Sequence, residues 1–472
     1  MQMRCYLLLL FLIPLTSSTD SNIRVKISTR LLDFASSTAK RILNEDVVKM
    51  TIPPVYERIG GVGHGYIMTR SIGITEFGSP NFNFSLSKDG LEWKTSGGEL
   101  RVQGVYAARY IFSGIKFTSV GTFDVHVGDF RSTIGATLKT VNSKPQAVLL
   151  HSRIELGYFR IHIEHARVVA WVAALFRGKL SRSVRDIVVR SIQSVPQKLI
   201  DQGNAFVQRE PTDIAIGQNF FIHYAAEHDP VVSLDHITAD ASITVTFNKE
   251  YVCTEQPKVL ESEDPADPML SVWVSDQMAN CLFLSMHVYT LRITPENIPK
   301  IEPYLRTSCP LLQCIGSYMP LLALKYPNNH VMLGFRSIEP PTLRFDLGSM
   351  WLNSSYNLDF YTFPTVGKSL AQLELRLYTR VTPLLSDHRV KGRLHDLEMN
   401  LKTIFSDIGP FPTSIFDGTQ WILKPIVKLI VQLALDKGMP IPSIRNATLD
   451  DSSQVNVLQD QLRLSLNLRS LV

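Results

Sequence analysis

The chain has 472 residues, 45% hydrophobic and 19% charged, with a formal net charge of +5. That balance excludes a disordered chain and a dedicated polyanion binder, and the length leads us to expect two domains. Hydrophobic segments are too short or too often charged to span a bilayer as a helix.

Residues 1–19 have the parts of a secretory signal: a basic Arg4, an apolar core from Tyr6 to Leu15, and small residues at Thr16-Ser17-Ser18. The expectation is a soluble, secreted, extracellular protein. Cys5 leaves with the signal, and Cys253, Cys281, Cys309 and Cys314 remain as disulfide candidates. Four cysteines allow three pairings, and the sequence does not choose among them. Glycosylation sequons at Asn83-Phe84-Ser85, Asn353-Ser354-Ser355 and Asn446-Ala447-Thr448 agree with secretion.

Asn22 to Ser28 alternates like a strand. Thr29 to Leu43 then turns helical, with Leu32, Ala35, Ala39 and Leu43 on one face. Period-two segments follow at Tyr66–Ile72, Phe82–Leu86, Gly90–Lys94, Glu99–Val105 and Thr122–Val127. Consecutive strands with short turns predict an antiparallel meander. A second helical block spans about Val169 to Ile200, with an apolar ridge that includes Val172, Phe176, Val184 and Val188 and a basic opposite side. Residues 253–269 hold three prolines and five acidic residues and read as a linker between domains at 20–252 and 270–472. The order of elements then repeats: strand, helix near Met278–Tyr289, strands, a long helix within Ile408–Pro442, and a last strand near Gln461–Leu468. This predicts an internal duplication of architecture.

The Ile408–Pro442 stretch is bounded by Gly409-Pro410-Phe411-Pro412 and by Gly438-Met439-Pro440. Gly438 suits a left-handed C-terminal cap. Asp417, Gln420, Lys424, Lys428, Gln432 and Asp436 form one polar stripe. The apolar arc includes Ile422, Ile426, Ile430 and Leu433, which predicts a helix packed on a sheet, with part of the arc free to face an apolar ligand. Pro425 marks a kink.

Other patterns carry less. Gly60-Gly61-Val62-Gly63-His64-Gly65 lacks the Lys-Ser/Thr ending of a phosphate loop and reads as a glycine-rich hairpin. His162 and His165 have no third ligand nearby, so no metal site is expected. Neither Gly-x-Ser-x-Gly nor His-Glu-x-x-His occurs, and an enzyme is not expected. Aromatics do not interleave with basic residues as in a nucleic-acid reader.

Four segments stand out together: Val25-Lys26-Ile27-Ser28-Thr29-Arg30-Leu31-Leu32-Asp33-Phe34-Ala35-Ser36, Ala170-Trp171-Val172-Ala173-Ala174-Leu175-Phe176, Val272-Trp273-Val274-Ser275-Asp276, and Asp407 to Pro442. They resemble the family of bactericidal/permeability-increasing and lipopolysaccharide-binding proteins, related to the phospholipid and cholesteryl ester transfer proteins. The resemblance implies an α+β boomerang of two similar barrels, each a twisted antiparallel sheet with two long helices, joined by a central sheet. It implies an apolar pocket in each barrel that holds phospholipid as ligand, with no other cofactor. Burial of an acyl chain contributes about 0.8 kcal/mol per CH₂. The twelve helix positions already named become the lipid-pocket candidates.

Two departures matter. The resemblance implies a first-domain disulfide, but the nearest positions here are about Ser152 and Gln193, so it is absent. The dense lysine cluster of antibacterial members is reduced to the head-group candidates Lys49, Lys94, Arg101 and Arg109, with Glu45, Asp46 and Glu92 interspersed. The expected function is therefore a secreted, monomeric phospholipid binder in innate defence. Lipopolysaccharide, an anionic bacterial surface and a receptor are its candidate partners. The alternatives are a lipid transfer protein and a lipid-presenting protein that acts through a receptor.

Overall fold

A computed structural model of the chain describes residues 21–46, 52, 54, 56–164, 178–179, 181–182, 185–186, 189–190, 193–209, 212–217, 220–226, 228–247, 250–251, 260–261, 263–287, 290–310, 314–364, 366–409, 411, 416–441 and 447–470. Within them the fold is α+β: two curled antiparallel sheets, one from each half, joined through a third.

The first-half sheet is a meander of Gly90–Phe112, Ile115–Val141 and Lys144–Ile163, extended by His64–Gly78 and Tyr56–Ile59, with Asn81–Ser87 paired to the start of Gly90–Phe112. The glycine-rich run 60–63 is the turn between Tyr56–Ile59 and His64–Gly78, as its hairpin reading predicts. Gly90–Lys94 and Glu99–Val105, which alternate separately in the sequence, belong to one strand. Gly97 and Gly98 interrupt the pattern because both adopt left-handed φ (76° and 86°), and Asp129 in the next strand does the same at 53°. The ladder continues on both sides of this row, with Gly97 opposite Phe130 and Glu99 opposite Gly128.

Side-chain parity inverts at that row. Before it, Leu91 and Trp93 face the central apolar cluster with Phe84, Leu86 and Leu138. After it, Leu100, Val102 and Tyr106 face a distal cluster with Phe123, Val125 and Val127. A local bend of this kind lets one continuous sheet curl while keeping its apolar face inward.

The second-half sheet repeats the plan with His330–Asp346, Ser349–Phe363, Ala371–Ser386 and Arg389–Ser406 as its long strands. The helix Phe416–Lys437 lies against it. Leu423, Ile426 and Val427 are buried in a core with Leu373, Leu375 and Phe360, while Lys424, Lys428 and Asp436 are exposed, so the helix is amphipathic as expected. Gly392 lets the helix approach its strand, since a Cβ there would meet Leu435 Cδ2 at 2.6 Å. Gly438 caps the helix at φ 56°, and Arg389 donates to the carbonyls of Lys437 (2.5 Å) and Gly438 (3.0 Å).

The central sheet runs Gln454–Leu458, Gln461–Leu466, Leu270–Ser275, Ile23–Ser28, His236–Phe247, Phe220–Ala225 and Asp213–Gly217. From Leu270–Ser275 the chain enters the helix Asp276–Met286, where Ser275 Oγ accepts from Gln277 N (3.2 Å). The described part of the proline- and acid-rich stretch is packed onto this sheet. Leu260 is buried, and Asp264 Oδ2 accepts from Ser271 Oγ (2.9 Å) and Ser465 Oγ (2.6 Å). Arg463 Nε lies 3.6 Å from Asp264 Oδ1, both side chains nearly buried. On the neighbouring strand, Arg24 donates to both carboxylate oxygens of Asp240, at 2.5 and 2.9 Å.

Two consequences are measurable by denaturant unfolding. Asp264→Ala strands two buried hydroxyls and a guanidinium, and we expect a loss of about 3–5 kcal/mol, with Asp264→Asn losing less. Gly98→Val forces a β-branched residue into a left-handed conformation, and a loss of about 1–3 kcal/mol is expected. An unchanged midpoint for Gly98→Val would contradict the bend as described.

Candidate functional site

The inner face of the first-half sheet is built around a continuous apolar cluster. Val125 and Val127 are fully buried, with Val102, Ile67 and Phe123 beside them. Around these lie half-buried Phe77, Phe112, Phe117, Phe130, Phe159 and Ile161. Phe117 stands opposite Tyr110, Phe159 opposite Val127 and Ile161 opposite Val125, so the ladder itself places them on the inner face. None of these is among the twelve sequence candidates, all of which the sequence reading assigns to helices. Period-two alternation was the signal for them, once the parity change at Gly97-Gly98 is taken into account.

Among the helix candidates, Leu32 and Ala35 are buried on the helix Thr29–Asp46, where Leu32 joins the central cluster. Ile426 is wholly buried in the second-half core, so its contact with the sheet is closed. Ile430 and Leu433 are half-buried along the same helix, and Leu429 and Val431 join them. Val172, Phe176, Val184 and Val188 lie outside the described residues, as do the side chains of Ala39, Leu43 and Ile422.

The basic candidates are not brought together. Lys94, Arg101 and Arg109 follow one another along a single strand, and at about 3.3 Å per residue each is more than 20 Å from the next. Each has its own surroundings. Lys94 Nζ is 2.7 Å from Glu92. Arg101 is held by Asp124, with Nε at 3.0 Å and one terminal nitrogen at 2.8 Å, and by Glu76 at 3.2 Å. The Asp124 hydrogen bond and charge push the Arg101 pKa above its ordinary value, and the same bond draws the Asp124 carboxyl below its own. Arg101 is thus already neutralised where it stands. Arg109 lies opposite Tyr66 and Thr118, and its Nε is buried without a hydrogen-bond partner among the described residues. Lys49 lies outside the described residues.

Cys309 and Cys314 are joined in a disulfide. Cys281 is also disulfide-bonded, and its partner, like Cys253, lies outside the described residues. Asn83 and Asn353 are exposed on strands, and Asn446 is outside the description. Among the described residues, no group of three or more His, Cys, Asp or Glu is placed to hold a metal. Also among them, no helix is long and apolar enough to cross a membrane.

The chain is similar to known proteins over nearly its whole length. It is 19% identical to the bactericidal permeability-increasing protein of Sebastes schlegelii, over 98% of both chains. It is 22% identical to the lipopolysaccharide-binding protein of Rattus norvegicus, over 94% of this chain and 93% of that one. A crystal structure of lipopolysaccharide binding protein shares the fold with a TM-score of 0.55 at 20% identity, covering 96% of this chain and all of that chain. The family model for the C-terminal domain of the LBP / BPI / CETP family matches residues 215–470, more than half of the chain, and the chain therefore belongs to the LBP / BPI / CETP family.

Proposed function

We propose that the protein is a secreted, non-enzymatic phospholipid binder that takes acyl chains onto the inner faces of its two curled sheets and acts in defence against Gram-negative bacteria. The observation that carries this reading is the first-half inner face: half-buried Phe117, Phe130, Phe159 and Ile161 stand around a closed aliphatic layer of Val102, Val125 and Val127. Acyl methylenes gain from leaving water at such a surface and require no catalytic group. The half-buried edge of the helix Phe416–Lys437, Leu429, Ile430 and Leu433, offers a similar surface in the other half. Two relatives are named for lipopolysaccharide binding and bactericidal permeability increase, and lipopolysaccharide, itself acylated, is the bacterial ligand we propose.

The state of the cations shapes how such a ligand is held. Lys94 and Arg101 are occupied by acidic neighbours, so acyl burial rather than phosphate clamping supplies most of the affinity. This favours a carrier over a polycationic killer. The protein acts as a monomer in this reading, and a receptor that accepts the loaded form is its proposed protein partner.

Protein purified from a lipid-rich secretory host should show masses of bound phospholipid by native mass spectrometry. Phe159→Arg, which places a charge on the half-buried rim, should lower that loading several-fold, while Arg101→Ala should leave it unchanged. An unloaded wild type would contradict the proposal. Binding to lipopolysaccharide, followed by fluorescence titration, should change little with added salt; a steep decline would show that phosphate contacts dominate instead.

A further inference from the structure

The outer face of the first-half sheet carries an open groove of ≈ 590 Å³, lined mainly by polar residues with Phe82 among them. Two cross-strand rows build it. Asn83 stands opposite Lys94, Lys94 opposite Thr133, and Thr133 opposite Arg153. Beside that row run Asn81, Ser96, Arg131 and Glu155, opposite one another in the same order. Three inter-strand steps make each row about 14 Å wide.

The groove is lined by three cations and one carboxylate, Lys94, Arg131, Arg153 and Glu155, and each cation is compensated by an acidic partner in the lining or just outside it. Lys94 pairs with Glu92 (2.7 Å), Arg131 with Asp129 (2.8 Å) and Arg153 with Glu155 (2.8 Å), each partner two residues away on the same strand and on the same face. Such a surface alternates donors and acceptors without a net field. It therefore suits a neutral polyhydroxylated ligand better than a phosphate or sulfate polyanion. One wall is Asn83, exposed and the first residue of the Asn83-Phe84-Ser85 sequon.

We infer that Asn83 carries an N-linked glycan whose first, uncharged sugars lie in this groove, over Lys94 and Thr133 toward Arg153. The inference rests on the secretion part of the proposed function, because the donor is a lipid-linked oligosaccharide pyrophosphate of the secretory pathway. In the transfer, Asn83 Nδ2 forms a bond to the anomeric carbon of the first sugar. The bond from that carbon to the pyrophosphate oxygen breaks, the amide nitrogen gives up one proton, and the lipid pyrophosphate leaves. Transfer to the extended chain precedes folding, and the sheet then assembles beneath the attached sugar. In this inference Lys94 contacts the glycan rather than a lipid head group.

The test uses the full chain secreted from a glycosylating cell, with site-resolved glycopeptide mass spectrometry. Asn353, exposed on a strand of the second-half sheet, is the internal reference. Asn83 should be occupied, and an amidase should release its glycan from the native protein several-fold more slowly than the one at Asn353. Lys94 should acetylate several-fold faster in Asn83→Gln than in Ser85→Thr, which keeps the sequon. An unmodified Asn83 in protein modified at Asn353 overturns the inference and leaves the secretion reading intact. Equal release rates with equal Lys94 reactivity overturn the seating in the groove. A chain retained in the cell without glycan overturns both.

Discussion

The pairing of Ile23–Ser28 on both of its edges is the interaction on which the rest of the structure depends. Val25 lies opposite Ala239 on one side and opposite Val272 on the other. Val25, Ala239 and Leu270 are all within the central apolar cluster. The earliest described strand thus stitches the end of the first half to the start of the second. It also launches the helix Thr29–Asp46 along the first-half sheet. Bonds across more than two hundred residues, such as Arg24 to Asp240 and Ser28 to the carbonyl of Pro268, are satisfied only when this seam is closed. Such non-local closure is slow to form, because the loop entropy is lost before the contacts are made.

With the seam closed, each curled sheet is left with two chemically different faces. In the first half, the inner face carries Val102, Phe123, Val125 and Val127, and the outer face carries Arg101–Asp124, Lys94–Glu92, Arg131–Asp129 and Arg153–Glu155. Exposed pairs of this kind add little stability. Their effect is to leave the outer surface wet but without a strong field. In the proposed reading, affinity for an amphiphile is concentrated on the apolar side, while the outer side seats sugar.

Much of this was legible in the sequence. Alternation located the strands, the Gly438 cap and the polar stripe located the long helix, and four quoted segments pointed to the family. The boundaries that sequence reading drew too short share one physical cause. Gly97-Gly98 and the bulge near Ser71 break the period-two signal without breaking the ladder, so a strand of 23 residues reads as two short ones and one of 15 residues reads as Tyr66–Ile72 alone. The same inversion hid the inner-face phenylalanines. In the long helix, Leu423 and Val427 belong with Ile426 in the buried contact, although the sequence arc centred on Ile422, Ile426, Ile430 and Leu433. Neither was the state of the cations readable. Arg101 stands opposite His126 and meets Asp124 only because the twist of the sheet brings that diagonal neighbour within reach.

The central claim is that acyl chains lie on the inner apolar face of the first-half sheet. A phospholipid with a photoactivatable group at the end of one acyl chain, loaded into the secreted protein and irradiated, tests it directly. The account predicts adducts at half-buried inner-face positions such as Phe117, Phe159 and Ile161. Adducts confined to outer-face residues such as Lys94, Thr133 and Arg153, with the inner face unlabelled, would contradict it.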